Sequence, residues 1–254
     1  EALSRRLTLA PGGTAALVRM REDLLGMRGL PGVALAEADL AHLLQSWFNR
    51  GFLSMRAISW SSPANLLERV IRYEAVHDIR DWADLRSRLD PPDRRCYAFF
   101  HPAIPDDPLI FVEVALTREV PGSIQALLAP DRVPLASADA TTAVFYSISN
   151  CQPGLRGISF GHFLIKQVAT DLKREIPTLE RFVTLSPIPG FMGWLRDRDA
   201  ELAGQANADA EEQRDRLLAQ AARYLLDAKN GEGRPLDPVA RFHLGNGARL
   251  EQVH

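Results

Sequence analysis

The stretch from Val144 to Leu185 constrains the fold more than any other part of the chain. Val144–Ser149 is a short apolar run of strand type, and Phe182–Leu185 is another. Between them, Leu164, Val168, Leu172 and Ile176 recur at helical spacing over His162–Ile176, and Pro177 stops the pattern. The loop that joins the first strand to this helix, Gln152–Gly161, carries Gly154, Gly157 and Gly161. Strand, glycine-rich loop, helix and strand in that order make a βαβ unit with its two strands parallel. A further run, Leu109 to Leu116, is almost continuously apolar, as expected of a strand covered on both faces.

On either side of this unit the periodicity is helical. Leu17, Met20, Leu24 and Leu25 form one set, Leu40, Leu43, Leu44, Trp47 and Phe48 a second, and Leu66, Leu67, Val70 and Ile71 a third. The period changes at Pro91-Pro92, which predicts an N-terminal helical bundle over 1–91 with a packing or oligomerisation role. A mixed sheet flanked by helices is predicted over 92–254, so the fold class is α+β. A long helical stretch is expected over about Asp199–Asn230, closed by Gly231 and Gly233. Asp237-Pro238 has the form of an N-cap followed by a first-turn proline. It opens a short helix ended by Gly245-Asn246-Gly247, and a final strand is expected from about Ala248.

Composition excludes several classes of function. The formal net charge is −2, which gives no reason to expect a nucleic-acid partner. No apolar run approaches the roughly 20 residues of a membrane-spanning helix. The 2 cysteines, Cys96 and Cys151, make neither a disulfide framework nor a zinc site and fit a reducing compartment. An Ala- and Arg-rich chain of this kind points to a bacterial, cytoplasmic protein. It begins at Glu1 and stops at Val253-His254, which reads as trimming at both ends.

The loop after Val144–Ser149 is where a ligand is expected. Its glycines let backbone amides approach an anion, and the following helix offers unpaired N–H groups and the positive end of its dipole. No Gly-Lys-Ser/Thr follows, so this is not a Walker loop. Arg156 is the best phosphate candidate, whereas Lys166, Lys173 and Arg174 read as a solvated helix face. Gln152 to Gly161 resembles the acyl-CoA pyrophosphate loop of the GNAT (N-acetyltransferase) fold. Ala240-Arg241-Phe242-His243 is similar to the Ala-x-Phe-Tyr stretch of that fold, with His243 in place of the tyrosine that protonates the departing thiolate.

Phe145-Tyr146-Ser147-Ile148-Ser149, Gly161-His162-Phe163-Leu164-Ile165-Lys166, Leu185-Ser186-Pro187-Ile188-Pro189-Gly190-Phe191 and Asp237-Pro238-Val239-Ala240-Arg241-Phe242-His243-Leu244 resemble, in order, the blocks of the malonyl-CoA decarboxylase family. The resemblance runs from about Cys96 to the end and more loosely through the helical part. It implies an N-terminal helical domain before an acetyltransferase-like catalytic domain, malonyl-CoA and acetyl-CoA as partners, and assembly as a homotetramer. It also implies Ser186 and His243 as catalytic residues. The implied malonyl-CoA-binding loop is Arg156, Gly157, Ile158, Ser159, Phe160, Gly161 and His162. Two positions depart from the pattern: animal relatives carry an acidic residue in place of Ser159, and His162 is not the usual residue there.

The implied reaction converts malonyl-CoA to acetyl-CoA and CO2. The thioester is its own electron sink, so neither metal nor organic cofactor is expected. Taken alone, a serine before proline is ordinarily a turn residue and a histidine on a short helix ordinarily packs. Only the resemblance gives Ser186 and His243 their chemistry. Two rivals use the same fold: an acyl-CoA-dependent N-acyltransferase, for which no amine-binding acidic cluster is evident, and a non-catalytic acyl-CoA sensor.

Overall fold

The structure is a computed structural model that describes residues 2–27, 29–48, 50–158, 163–205 and 211–254. It divides into two compact units, Glu1–Leu185 and Ser186–His254.

The first unit opens with helices α1 (Ala2–Leu7), α2 (Gly13–Gly26) and α3 (Val33–Trp47). Strand β1 (Ser54–Ile58) and helices α4 (Ala64–Tyr73) and α5 (Trp82–Leu89) follow. Next come β2 (Arg94–Phe100), β3 (Ile110–Thr117), α6 (Ile124–Leu128) and β4 (Thr142–Asn150). The unit closes with α7 (Phe163–Glu175) and β5 (Arg181–Thr184). The strands form one sheet in the order β1-β2-β3-β4-β5, antiparallel except for the parallel pair β4·β5. That pair, with α7 between its strands, is the βαβ unit read from the sequence.

Both faces of the sheet are covered, which explains the almost continuous apolar run in β3. On one face Tyr97, Phe99, Val112, Val114 and Phe145 pack with Leu44, Phe48, Leu164, Val168 and Leu172. On the other, Cys96, Ala98, Phe100 and Phe111 meet Leu67, Val70, Leu85 and Leu89 from α4 and α5. The period-2 alternation along β2 assigns its residues to the two cores. Each fully buried Leu or Phe contributes about 1.5–3 kcal/mol of transfer free energy. The β3·β4 register shifts between Glu113 and Val114, which face Ser147 and Phe145, so Tyr146 is the extra residue of a bulge.

Polar groups are buried beneath that irregularity. Glu74, at the end of α4, accepts from Ser147 Oγ at 2.7 Å and Ser149 Oγ at 3.2 Å, and from the N–H groups of Val76 and His77. Glu113 is fully buried, with Arg88 at 3.5 Å.

The second unit contains α8 (Phe191–Arg196), α9 (Ala200–Gly204), α10 (Glu211–Asp227) and α11 (Pro238–Gly245). Its core gathers Phe191, Leu195, Leu202, Ala221, Tyr224 and Leu225. Phe191 and Trp194 both lie against the Tyr224 ring, with centroids 6.0 and 5.3 Å away.

Two expectations are corrected. The sheet does not begin after Pro91-Pro92, because β1 lies inside the stretch read as purely helical and pairs with β2. It is a short edge strand with mostly exposed residues, so it leaves no apolar run to read. The helical stretch expected over Asp199–Asn230 does hold helices, α9 and α10, with 206–210 outside the described residues. No strand forms from Ala248 to His254. That segment holds only isolated apolar residues, Leu250 and Val253, and pairs with no sheet edge among the described residues.

Candidate active site

The glycine loop leaves β4 and makes one tight turn over Pro153–Leu155. Gly154 is required there by close approach, since a Cβ would stand 1.9 Å from the carbonyl oxygen of Val18. Gly157 has φ +80, a conformation that only glycine adopts without strain. Ile158 is buried in the sheet core, whereas the Arg156 side chain is exposed. The loop backbone is tied to α2 by Arg21, itself 3% exposed. Its guanidinium donates to the carbonyls of Gly154 at 2.6 Å and Arg156 at 2.9 Å, and pairs with Glu37 at 2.6 Å. The N-terminal helices therefore fix the first half of the loop, a role that their periodicity did not reveal. Of the predicted binding residues, Arg156, Gly157 and Ile158 are described, and Ser159, Phe160, Gly161 and His162 lie outside the described residues.

Lys173 donates to the carbonyls of Pro177 and Leu179 and so closes its own helix, and Arg174 pairs with Asp171. His101 packs on Phe48 with ring centroids 4.5 Å apart. None of these points to a ligand.

The two predicted catalytic residues lie in the second unit and meet there. Ser186 Oγ is 3.1 Å from His243 Nε2, and the imidazole tautomer decides which of them donates. Ser186 is exposed, and Pro187 and Pro189 stiffen the chain that follows it. His243 rides on α11, whose N-cap Asp237 accepts from the N–H groups of Val239 and Ala240, both at 2.9 Å. The Phe242 ring stands edge-on to the imidazole, 5.1 Å between centroids. Burial holds the His243 imidazole below its ordinary value, favouring the neutral form in the free protein.

Two surface cavities of about 360 and 260 Å³ are lined by other residues, Leu89, Arg94 and Glu175 in the first and Trp47, Phe52 and His101 in the second. Among the described residues no group of three or more His, Cys, Asp or Glu side chains is arranged to hold a metal. Among the same residues no helix is long and apolar enough to cross a membrane.

Comparison with known proteins decides the family. The model of the malonyl-CoA decarboxylase C-terminal domain matches residues 51–254, and that of the N-terminal domain matches residues 1–48. The chain belongs to the malonyl-CoA decarboxylase family. The mitochondrial malonyl-CoA decarboxylase of Anser anser anser is 36% identical over 300 residues, covering 100% of this chain and 59% of the relative. The rat enzyme is 34% identical over 297 residues, covering 99% and 60%. This chain thus spans about 60% of the length of the curated relatives it matches. Among solved structures, the malonyl-CoA decarboxylase of Rhodopseudomonas palustris is 57% identical, covers 98% of this chain and 66% of its own, and superposes with a TM-score of 0.88. That of Agrobacterium vitis is 52% identical, with coverages of 99% and 66% and a TM-score of 0.91.

Proposed function

We propose that this chain carries out the family's reaction, the decarboxylation of malonyl-CoA to acetyl-CoA and CO2, with Ser186 and His243 as its catalytic residues. The observation that carries the reading is the 3.1 Å contact between the Ser186 hydroxyl and the His243 imidazole in a chain of this family. Cleavage of the bond between the α-carbon and the carboxylate releases CO2. The bonding pair stays on the α-carbon and delocalises onto the thioester oxygen as an enolate. His243 delivers a proton to the α-carbon, giving acetyl-CoA and leaving a neutral imidazole to be reprotonated from solvent. The Ser186 hydroxyl donates to the substrate carboxylate or to the developing enolate oxygen. A donor aimed at such an oxyanion is worth roughly 10²–10³ in rate, and a positioned general acid roughly 10²–10⁴. No acyl-enzyme is needed, so the pair is not a nucleophile and its base.

The substrate's phosphates are assigned to the glycine loop, with Arg156 as the side-chain cation. The thioester sink makes metal and organic cofactors unnecessary for this chemistry. The family resemblance favours a homotetramer, and the Ala- and Arg-rich composition favours a bacterial cytoplasm. The reaction is tested by incubating purified protein with malonyl-CoA and following acetyl-CoA by mass spectrometry. Turnover lost in Ser186→Ala and His243→Ala with malonyl-CoA binding retained supports the assignment. Binding without turnover in the unsubstituted protein would leave it a sensor.

A further inference from the structure

We propose that Asp237 is a positioning residue for the Ser186–His243 pair, its two carboxylate oxygens each holding one of the backbone segments that present the pair. Asp237 is 1% exposed, unlike an ordinary N-cap, which sits at the surface and uses a single oxygen. Oδ1 does the capping, accepting from Val239 and Ala240 at the start of the helix that carries His243. Oδ2 reaches a different segment and accepts from the N–H of Gly190 at 3.3 Å. Gly190 closes the Ser186-Pro187-Ile188-Pro189 block. Each proline fixes φ near about −65°, so a hold on Gly190 reaches back to Ser186 with little slack.

Gly190 and Tyr224 complete the arrangement. A Cβ on Gly190 would stand 2.2 Å from the Tyr224 hydroxyl and 3.5 Å from Asp237 Oδ2, so only glycine lets the backbone come this close. The Tyr224 hydroxyl lies beside Asp237, where burial together with the carboxylate pushes the phenol up, and the ring is packed against Phe191 and Trp194. A buried carboxylate persists only where its lone pairs are filled, and here the donors come from α11 and the Ser186 block. Capping α11 requires only one oxygen, so the second contact serves another end: it joins the backbone of Ser186 to the helix of His243.

The kinetic part of this inference rests on the decarboxylase reading; the geometric part does not. Asp237→Asn keeps a capping oxygen but turns an NH2 group toward the Gly190 N–H, donor against donor. Asp237→Ser keeps a capping hydroxyl too short to reach Gly190, and Tyr224→Phe removes only the hydroxyl beside the carboxylate. Each full-length variant is compared with the parent protein by nitrogen-15 NMR titration of His243, assigned by its loss in His243→Gln, and by kcat and KM for malonyl-CoA. In both Asp237 variants kcat is expected to fall about 10- to 100-fold with KM within about twofold, as for a displacement of the reacting groups. The His243 midpoint is expected to move up toward the solvent value of about 6.5 as the imidazole loses its enclosure. Tyr224→Phe, which leaves the carboxylate in place, is expected to move both readouts in the same direction by less. An unchanged His243 titration with kcat within about twofold of the parent would overturn the proposal. Should the parent protein leave malonyl-CoA intact, the decarboxylase reading fails, and the NMR arm alone decides the positioning.

Discussion

In the proposed reaction the part played by Ser186 and His243 depends on protonation, and the direction of its pH dependence follows from burial. Desolvation holds the free imidazole below its ordinary 6.5, so the protonated form that the proposed donor role needs is lost as pH rises through that lowered value. The kcat/KM profile for malonyl-CoA is therefore expected to fall on its alkaline side with a midpoint below 6.5, and a stopped-flow pH series checks this. A midpoint well above it would argue against a buried His243 as the donor. Ser186→Ala is expected to lower kcat by about 10²–10³, the worth of one oxyanion donor. Neither residue carried a local signal; they were legible through the Ser-Pro-Ile-Pro and Arg-Phe-His-Leu blocks alone. Asp237 was legible as a cap from its place before Pro238. Its reach to Gly190 is a tertiary fact that no sequence period encodes. Glu113 was not singled out from the sequence, although it is the one charge inside an otherwise apolar strand. Burial, with the Glu74 carboxylate adding to it, pushes Glu113 up to about 8 against the pull of Arg88. The folded chain thus keeps a proton that the unfolded chain, with an ordinary value of 4.5, has released. Stability from this group falls as pH rises from 4.5 to about 8. Glu113→Gln is expected to shrink by a few degrees the drop in Tm between about pH 5 and pH 8, measured by calorimetry.

Among the elements, the β4–loop–α7–β5 unit was the most legible, because two apolar strands and an amphipathic helix bounded by Gly and Pro leave few alternatives. Strand β1 was not, since an exposed edge strand has no apolar period, and the strand expected after Gly247 was an over-reading of Leu250 and Val253. The contribution of α2 was also hidden, because a single arginine among ordinary helical residues does the work. Arg21 joins that helix to the loop through two carbonyls. Arg21→Gln is expected to raise KM for malonyl-CoA several-fold with kcat nearly unchanged, the signature of lost uniform binding, measured by steady-state kinetics. Gly157→Ala forces a left-handed alanine, a strain of about 1–2 kcal/mol. If the loop keeps its shape to bind the substrate, isothermal calorimetry should show malonyl-CoA affinity reduced roughly tenfold.

Over the whole molecule, fold and family agree: helices before a five-stranded mixed sheet, and a close match to bacterial malonyl-CoA decarboxylases through 98–99% of this chain. The sheet begins before Pro91-Pro92, and helices α4 and α5, which read like their predecessors, cover it. The reaction assigned to the chain rests on two groups placed 3.1 Å apart, Ser186 and His243. The most direct test is to incubate the purified protein with malonyl-CoA in the presence of a chelator and follow the products by mass spectrometry. Acetyl-CoA and CO2 in equal amounts, abolished in His243→Ala while malonyl-CoA still binds, is the predicted result. Malonyl-CoA bound but recovered intact from the unsubstituted protein, or turnover that survives loss of His243, would contradict it.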